Sequence, residues 1–79
     1  MIYPRIRDLR EDHDLTQAEV GRLINITARN YAYYERGEHM ISPEILCRLA
    51  DLYNTSVDYL LGRTNDPKAY APIKKKPYL

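Results

Sequence analysis

The chain has 79 residues, 44% of them hydrophobic, and a net charge of +1. This length allows one small domain with a marginal core and little room for an enclosed pocket, so we expect no enzyme, cofactor or small-molecule ligand. No apolar run suits a membrane span or a secretion signal, and Cys47 is the only cysteine, so no internal disulfide can form and a cytoplasmic location is expected.

The charge is unevenly distributed along the chain. Residues 1–62 carry seven Arg and Lys against ten Asp and Glu, a balance of −3, whereas residues 63–79 carry five against one, a balance of +4. The first 62 residues are therefore not generally basic. A polyanionic partner would therefore have to meet a local positive face, with the acidic residues kept elsewhere.

The first two helices are predicted from their starting residues. Pro4 suits a first-turn position and opens a helix over residues 4–11. A second helix follows at residues 17–24, because Thr16 and Glu19 have the spacing of a capping box.

A turn and a third helix come next. Asn25 is predicted to end the second helix in the left-handed conformation, which Asn tolerates best after Gly. Ile26 is apolar and fills the corner, and Thr27 caps a helix over residues 28–36. Gly37 ends that helix.

Two more helices complete the predicted domain, residues 1–62. Ser42 and Pro43 are a cap and a first-turn proline and open a helix over residues 43–53. A short fifth helix is predicted at residues 57–61. No segment alternates apolar and polar residues long enough for a strand, so the fold class is all-α.

Residues 63–79 form a tail of different composition, with three prolines, a Lys triplet and no helical stripe. This composition suits an extended segment. A flexible tail is one interpretation. Docking on the domain or on a second subunit is the other, because a solvated linker does not explain Tyr70, Ile73 and Tyr78.

Metal ligation is not indicated by the Cys and His residues. Cys47 lies in an apolar helical stretch and is expected to be a small buried or half-buried residue. His13 and His39 are far apart in the sequence, and together with one cysteine they give no metal-ligand spacing.

Residues 16–37, TQAEVGRLINITARNYAYYERG, have the layout of a helix-turn-helix, whose second helix enters the DNA major groove. Residues 6–62 resemble the Cro/cI-type (XRE-like) helix-turn-helix regulators of phages and bacteria. The motifs IRxLRE, LTQxEV, an apolar–Thr corner, YERG and LADLYNTSVDYLLG match in order. The resemblance implies a compact five-helix, lambda-repressor-like domain that binds double-stranded DNA.

The resemblance also implies the DNA-contacting residues. Arg29 has the best chemistry for reading a base, because its planar fork matches guanine O6 and N7. Asn30 suits adenine or a phosphate, and Tyr33 suits a thymine methyl or a phosphate. A solvated helix surface is the alternative for each of these. The matched positions are Gln17, Thr27, Ala28, Arg29, Asn30, Tyr33, Arg36 and His39.

Other positions are assigned structural roles. Tyr31 and Tyr34 share a face and are expected in the core, where each hydroxyl needs a partner. Gly21, where the family usually has alanine, is expected to permit a close approach of the second and third helices. Arg10 and Glu35 occupy positions at which phage-repressor relatives carry an internal ion pair.

The leading interpretation is a sequence-specific transcriptional regulator, expected to be a repressor, that acts as a homodimer on a two-fold operator. The alternative is a protein-interaction module of the same fold, such as an antitoxin or an accessory partner of another regulator. Clustering of Arg22, Arg29, Arg36 and His39, with Asp12, Asp14, Asp51 and Asp58 elsewhere, would favour the first. The predicted dimer surface comprises Val57, Tyr59, Leu60, Leu61 and the tail.

Overall fold

The computed structural model describes residues 1–71, which form five helices without a strand. The predicted all-α class is confirmed for these residues. Three helices differ from the predicted bounds by one residue at their ends, whereas α3 and α5 agree with them. The helices are α1 Pro4–Asp12, α2 Gln17–Leu23, α3 Ala28–Arg36, α4 Pro43–Leu52 and α5 Val57–Leu61.

Side-chain caps begin four of these helices. Thr16 and Glu19 form a complete capping box, with N–H to oxygen distances of 2.9 and 3.0 Å in the two directions. Each cap satisfies a backbone N–H group that has no partner within its own helix. The four caps are Thr16, Thr27, Ser42 and Ser56.

Short polar residues form three of the corners between helices. Asn25 has a φ of 61° and lies between α2 and α3, as predicted. Asp14 and Asn54 adopt φ values of 56° and 52° after α1 and α4. Asn and Asp are the side chains that best tolerate this left-handed conformation, and each of them lies two residues after the last residue of its helix.

The core lies at the centre of the five helices, and each helix contributes one fully buried side chain. These are Ile6, Val20, Tyr31, Leu49 and Leu60, none more than 1% exposed. The expected core position of Tyr31 is therefore confirmed, and Tyr34 packs partly buried against the same core. The assignment of Leu60 to a dimer surface was wrong, because this side chain packs inside its own subunit.

Cys47 is exposed, so its expected burial was also wrong. It belongs to α4, whose buried side chains are Ile45, Leu46, Leu49 and Ala50. The helical stripe of apolar residues does not include position 47.

The segment after α5 runs along the same subunit. We call residues 63–71 the strap. The guanidinium of Arg5 lies 4.0 Å from the centroid of the Tyr59 ring and donates to the Tyr59 carbonyl at 2.9 Å. It also donates to the carbonyl of Thr64 and, at 2.7 Å, to the Asn65 side chain.

Two hydroxyl groups hold the strap further along. Thr55 donates to the Pro67 carbonyl at 2.6 Å, and Tyr70 donates to the Asp58 carboxylate at 2.5 Å. Tyr70 of the predicted tail thus contacts its own subunit, whereas Ile73, Tyr78 and the Lys triplet lie outside the described residues. In residues 1–71 no helix is both long enough and apolar enough to cross a membrane.

Candidate nucleic-acid interface

The turn between α2 and α3 is unusually close to α2. The Ile26 N–H donates to the Gly21 carbonyl at 2.8 Å. A Cβ atom placed on Gly21 would lie 3.0 Å from the Ile26 carbonyl oxygen and 3.3 Å from the Ala28 nitrogen. Glycine at this position therefore sets the separation between α2 and the start of α3.

The start of α3 is the exposed part of the helix-turn-helix. Thr27, Ala28, Arg29 and Asn30 are all exposed, and Tyr33 is half-buried. The Thr27 hydroxyl accepts the Asn30 backbone N–H at 3.0 Å, so the cap does not use the Asn30 side chain. Four consecutive side chains at this end of α3 are thus accessible to a ligand.

Three basic side chains contact Tyr33. Arg29 Nε donates to the Tyr33 hydroxyl at 2.9 Å. The Arg36 guanidinium lies 5.0 Å from the ring centroid, within cation–π range. The His39 ring lies against the same ring, with centroids 4.5 Å apart. We call Arg29, Tyr33, Arg36 and His39 the Tyr33 cluster.

Glu38 is the acidic neighbour of this cluster. Its carboxylate accepts a 2.6 Å hydrogen bond from Arg36 Nε, and both side chains are about half exposed. The hydrogen bond from Arg36 lowers the pKa of the Glu38 carboxyl. Sequence reasoning missed this pair, although two opposite charges on either side of the helix-ending Gly37 are a usable signal.

The expected clustering of four basic residues is met only in part, because Arg22 is not among the residues around Tyr33. Arg22 is exposed on α2 and has no hydrogen bond or ion pair within residues 1–71, and it lies outside the Tyr33 cluster. The other acidic positions considered belong to α1, α4, α5 or the corner after α1, and none belongs to α2 or α3. They are Asp12, Asp14, Asp51 and Asp58.

Behind the exposed face, the Glu35 carboxylate joins three helices. Arg10 of α1 donates to it through Nε at 2.6 Å and through Nη2 at 3.2 Å. Gln17 of α2 donates at 3.1 Å, and Tyr31 of α3 donates at 2.5 Å. The side chain of Glu35 is only 4% exposed, so these four donors replace the water that a buried carboxylate loses.

The pKa of Glu35 reflects this arrangement. Burial acts to raise it, but the hydrogen bonds outweigh burial, with that from Arg10 the largest, and the pKa lies below its ordinary value. Burial and the bond to Glu35 raise the pKa of the Tyr31 hydroxyl far above its ordinary value. The network is therefore an ionised carboxylate held by neutral and cationic donors. Gln17 braces α3 through its side chain, which donates to Glu35, and its backbone N–H at the start of α2 is the group assigned to a phosphate.

Comparisons with known proteins agree with this geometry. A sequence model of the helix-turn-helix family matches residues 6–60. The chain therefore belongs to this family, and to its XRE-type branch of transcriptional regulators. Its five-helix fold is that of repressor domains.

Individual relatives are regulators and an antitoxin. The chain is 40% identical over 67 residues to the uncharacterised HTH-type transcriptional regulator YobD of Bacillus subtilis, covering 85% of this chain and 60% of that protein. It is 34% identical to the antitoxin PezA of Streptococcus pneumoniae, covering 78% and 39%. The chain thus spans less than two thirds of either curated relative.

One solved structure is similar to this chain over nearly the whole length of the solved protein. It is the P22 c2 repressor protein in complex with a synthetic operator, with a TM-score of 0.70 and 29% identity. The similarity covers 77% of this chain and 94% of the repressor chain.

Proposed function

We propose that this protein is a sequence-specific DNA-binding transcriptional regulator, acting as a repressor, without an enzymatic activity. The observation that carries the proposal is the exposed start of α3, where Arg29 stands on a helix braced from behind by the Glu35 network. A rigid helix with an accessible planar donor is what direct base readout requires. The similarity to a repressor solved with its operator supports this function.

The exposed side chains divide into two groups by chemistry. Arg29 and Asn30 carry donors that suit base edges, and Thr27 and Ala28 offer small groups beside them. Arg36 is the last residue of α3 and His39 lies just beyond it. Both are assigned to phosphates, together with the backbone N–H of Gln17 at the start of α2. Tyr33 lies between the two groups.

A selection of bound sites from a random pool of double-stranded DNA tests this function. The native chain should enrich a short motif, and its affinity should fall steeply with salt because phosphate contacts release counterions. Arg29→Ala should lose preference at one base pair, by about 1–3 kcal/mol per contact. Lys68→Ala, which removes the same charge from the strap, serves as the matched control and should leave the motif unchanged. Equal affinity for random and selected DNA would refute the proposal.

Dimerisation through α5 belongs to the same proposal. One recognition helix reads only a few base pairs, so two of them, one helical turn apart, are needed for useful specificity. Val57 and Leu61 are half-buried and pack only partly on the core. The Tyr59 ring is already covered on one side by Arg5.

Sedimentation of the native chain and of Leu61→Lys tests the dimer. The charge should shift the chain towards monomer and weaken operator binding, whereas Leu23→Lys, at a leucine that is 55% exposed on α2, should leave the mass unchanged. A monomeric native chain at operator-saturating concentration would contradict the dimer.

A protein-interaction module is the second candidate, favoured by the similarity to PezA and by the acidic balance of residues 1–62. In that case the random-pool selection would enrich no motif. Arg29→Ala and Lys68→Ala would then have equally small effects on any residual, salt-sensitive DNA binding.

A further inference from the structure

We infer that Tyr33 is a positioning residue that sets the specificity of Arg29, rather than a base-reading residue itself. The inference rests on the proposed function. Its basis is the 2.9 Å hydrogen bond from Arg29 Nε to the Tyr33 hydroxyl. The two residues are one helical turn apart on the exposed face of α3.

Tyr33 is suited to hold another side chain because its own ring is restrained. The ring is half-buried, with the His39 ring 4.5 Å away and the Arg36 guanidinium 5.0 Å away. Arg29, in contrast, is exposed. An exposed arginine samples many rotamers, and fixing them on a base opposes binding. A hydrogen bond that already orders Arg29 in the free protein reduces the conformational entropy that is lost on binding DNA.

The bond also determines which edge of the guanidinium remains available. Arginine has one N–H on Nε and two on each Nη. Because Nε donates to Tyr33, the pair of donors on the side of the guanidinium, Nε and one Nη, is not free to bind a base. The two Nη groups remain, and their end-on fork matches guanine O6 and N7. Tyr33 therefore selects end-on readout of guanine by Arg29.

Tyr33→Phe tests this assignment, because it removes the hydroxyl and keeps the ring that contacts His39 and Arg36. Preference for guanine at the base pair read by Arg29 should fall roughly three- to tenfold, the range expected for one intramolecular hydrogen bond. Affinity for random DNA should remain unchanged. Tyr34→Phe, at a half-buried tyrosine of the same helix, is the matched control and should not change the preference.

A double-mutant cycle separates positioning from direct contact with DNA. If Tyr33 acts through Arg29, Tyr33→Phe has no further effect in an Arg29→Ala background. If Tyr33 contacts DNA itself, the same loss appears in both backgrounds, and the inference is overturned.

A measurement on the free protein completes the test. The Arg29 Nε–H resonance should exchange with water more slowly in the native chain than in Tyr33→Phe. Equal exchange, or an unchanged guanine preference in Tyr33→Phe, overturns the positioning role while leaving DNA binding intact. Absence of any base preference in the native chain overturns the proposed function and the inference with it.

Discussion

The hydroxyl of Tyr31 donates a 2.5 Å hydrogen bond to the Glu35 carboxylate, one turn further along α3. The same carboxylate accepts hydrogen bonds from Arg10 of α1 and Gln17 of α2. Tyr31 therefore fills the core with its ring and supplies a donor to the only buried carboxylate that links three helices in the described chain. The orientation of α3, and of the exposed residues at its start, depends on this network.

Removing the Tyr31 hydroxyl should destabilise the fold. Tyr31→Phe leaves Glu35 with one donor fewer, and hydrogen bonds to charged groups are worth about 1.5–3 kcal/mol. The free energy of unfolding, measured with urea, should fall by this amount.

Tyr53→Phe is the matched comparison, and its effect on the free energy of unfolding should be opposite in sign to that of Tyr31→Phe. The Tyr53 hydroxyl is buried without a hydrogen-bond partner among residues 1–71, and burial raises its pKa to about 12. Replacing an unpaired buried hydroxyl by hydrogen removes a desolvation cost of about 1 kcal/mol or more, so this variant should be at least as stable as the native chain. Equal losses in the two variants would contradict both assignments.

Acid should weaken the fold through Glu35. Its pKa in the folded state lies below that in the unfolded chain. Ionised Glu35 therefore adds stability above the unfolded pKa of about 4.3, and this contribution disappears as the pH falls through the folded pKa.

Glu35→Gln isolates this contribution. At pH 7 the variant should be less stable by about 3 kcal/mol, because the Arg10 charge is left half-buried without its partner. Below about pH 4 the difference should shrink. Glu19 and Glu38, whose pKa values are also lowered by hydrogen bonds, remain in both proteins and cancel in the comparison. A difference that stays constant between pH 3 and 7 would contradict this account.

The sequence was sufficient to predict the helices because their ends carry local signals. Thr16, Asn25 and Thr27 act within three residues of where they stand, through caps and left-handed corners. The bounds of α3 were predicted correctly for this reason. The core position of Tyr31 was expected on a different ground, because the family that the chain resembles usually carries an aliphatic residue there.

Contacts between distant segments were not predictable in this way. Arg5 bonds to the strap, and its hydrogen-bond acceptors lie 54 to 60 positions away; no local pattern indicates such a pairing. Leu60 was misassigned because apolar residues in a short helix do not reveal how many of them the core can cover. Cys47 was misassigned because a helical stripe has edges that composition alone does not locate.

Freeing Arg36 from its intramolecular partner should strengthen DNA binding without changing the motif. Glu38→Gln removes a carboxylate that now holds Arg36 at 2.6 Å and would repel phosphate. An exposed ion pair competes only weakly with phosphate for the arginine, so affinity for all sequences should rise by roughly two- to fivefold. The salt dependence should become steeper. Glu44→Gln, which breaks the exposed pair with Arg48 on α4, is the control. A changed motif in Glu38→Gln would contradict the assignment of Arg36 to phosphate.

Gly21→Ala should destabilise the protein despite the better helix propensity of alanine. The substitution gains about 1 kcal/mol in a helix interior. The new methyl group, however, meets the backbone of the turn at 3.0 and 3.3 Å, and the turn must shift to accept it. Ala18→Gly, on the exposed side of the same helix, measures the propensity difference alone. If Gly21→Ala stabilises the chain by as much as Ala18→Gly destabilises it, the turn accommodates the methyl group without cost and glycine is not needed there.

The strap should depend on the guanidinium of Arg5. Lysine at this position keeps the charge but cannot direct donors at the Tyr59 and Thr64 carbonyls and the Asn65 side chain together. Arg5→Lys should therefore cost about 1–2 kcal/mol of stability, and trypsin should cleave the strap at Lys68 faster than in the native chain. Arg7→Lys provides the control, since Arg7 lies on the same helix and, among residues 1–71, its one hydrogen-bonded partner is the exposed Glu11. Cleavage at Lys68 at the same rate in both variants would mean that Arg5 does not hold the strap.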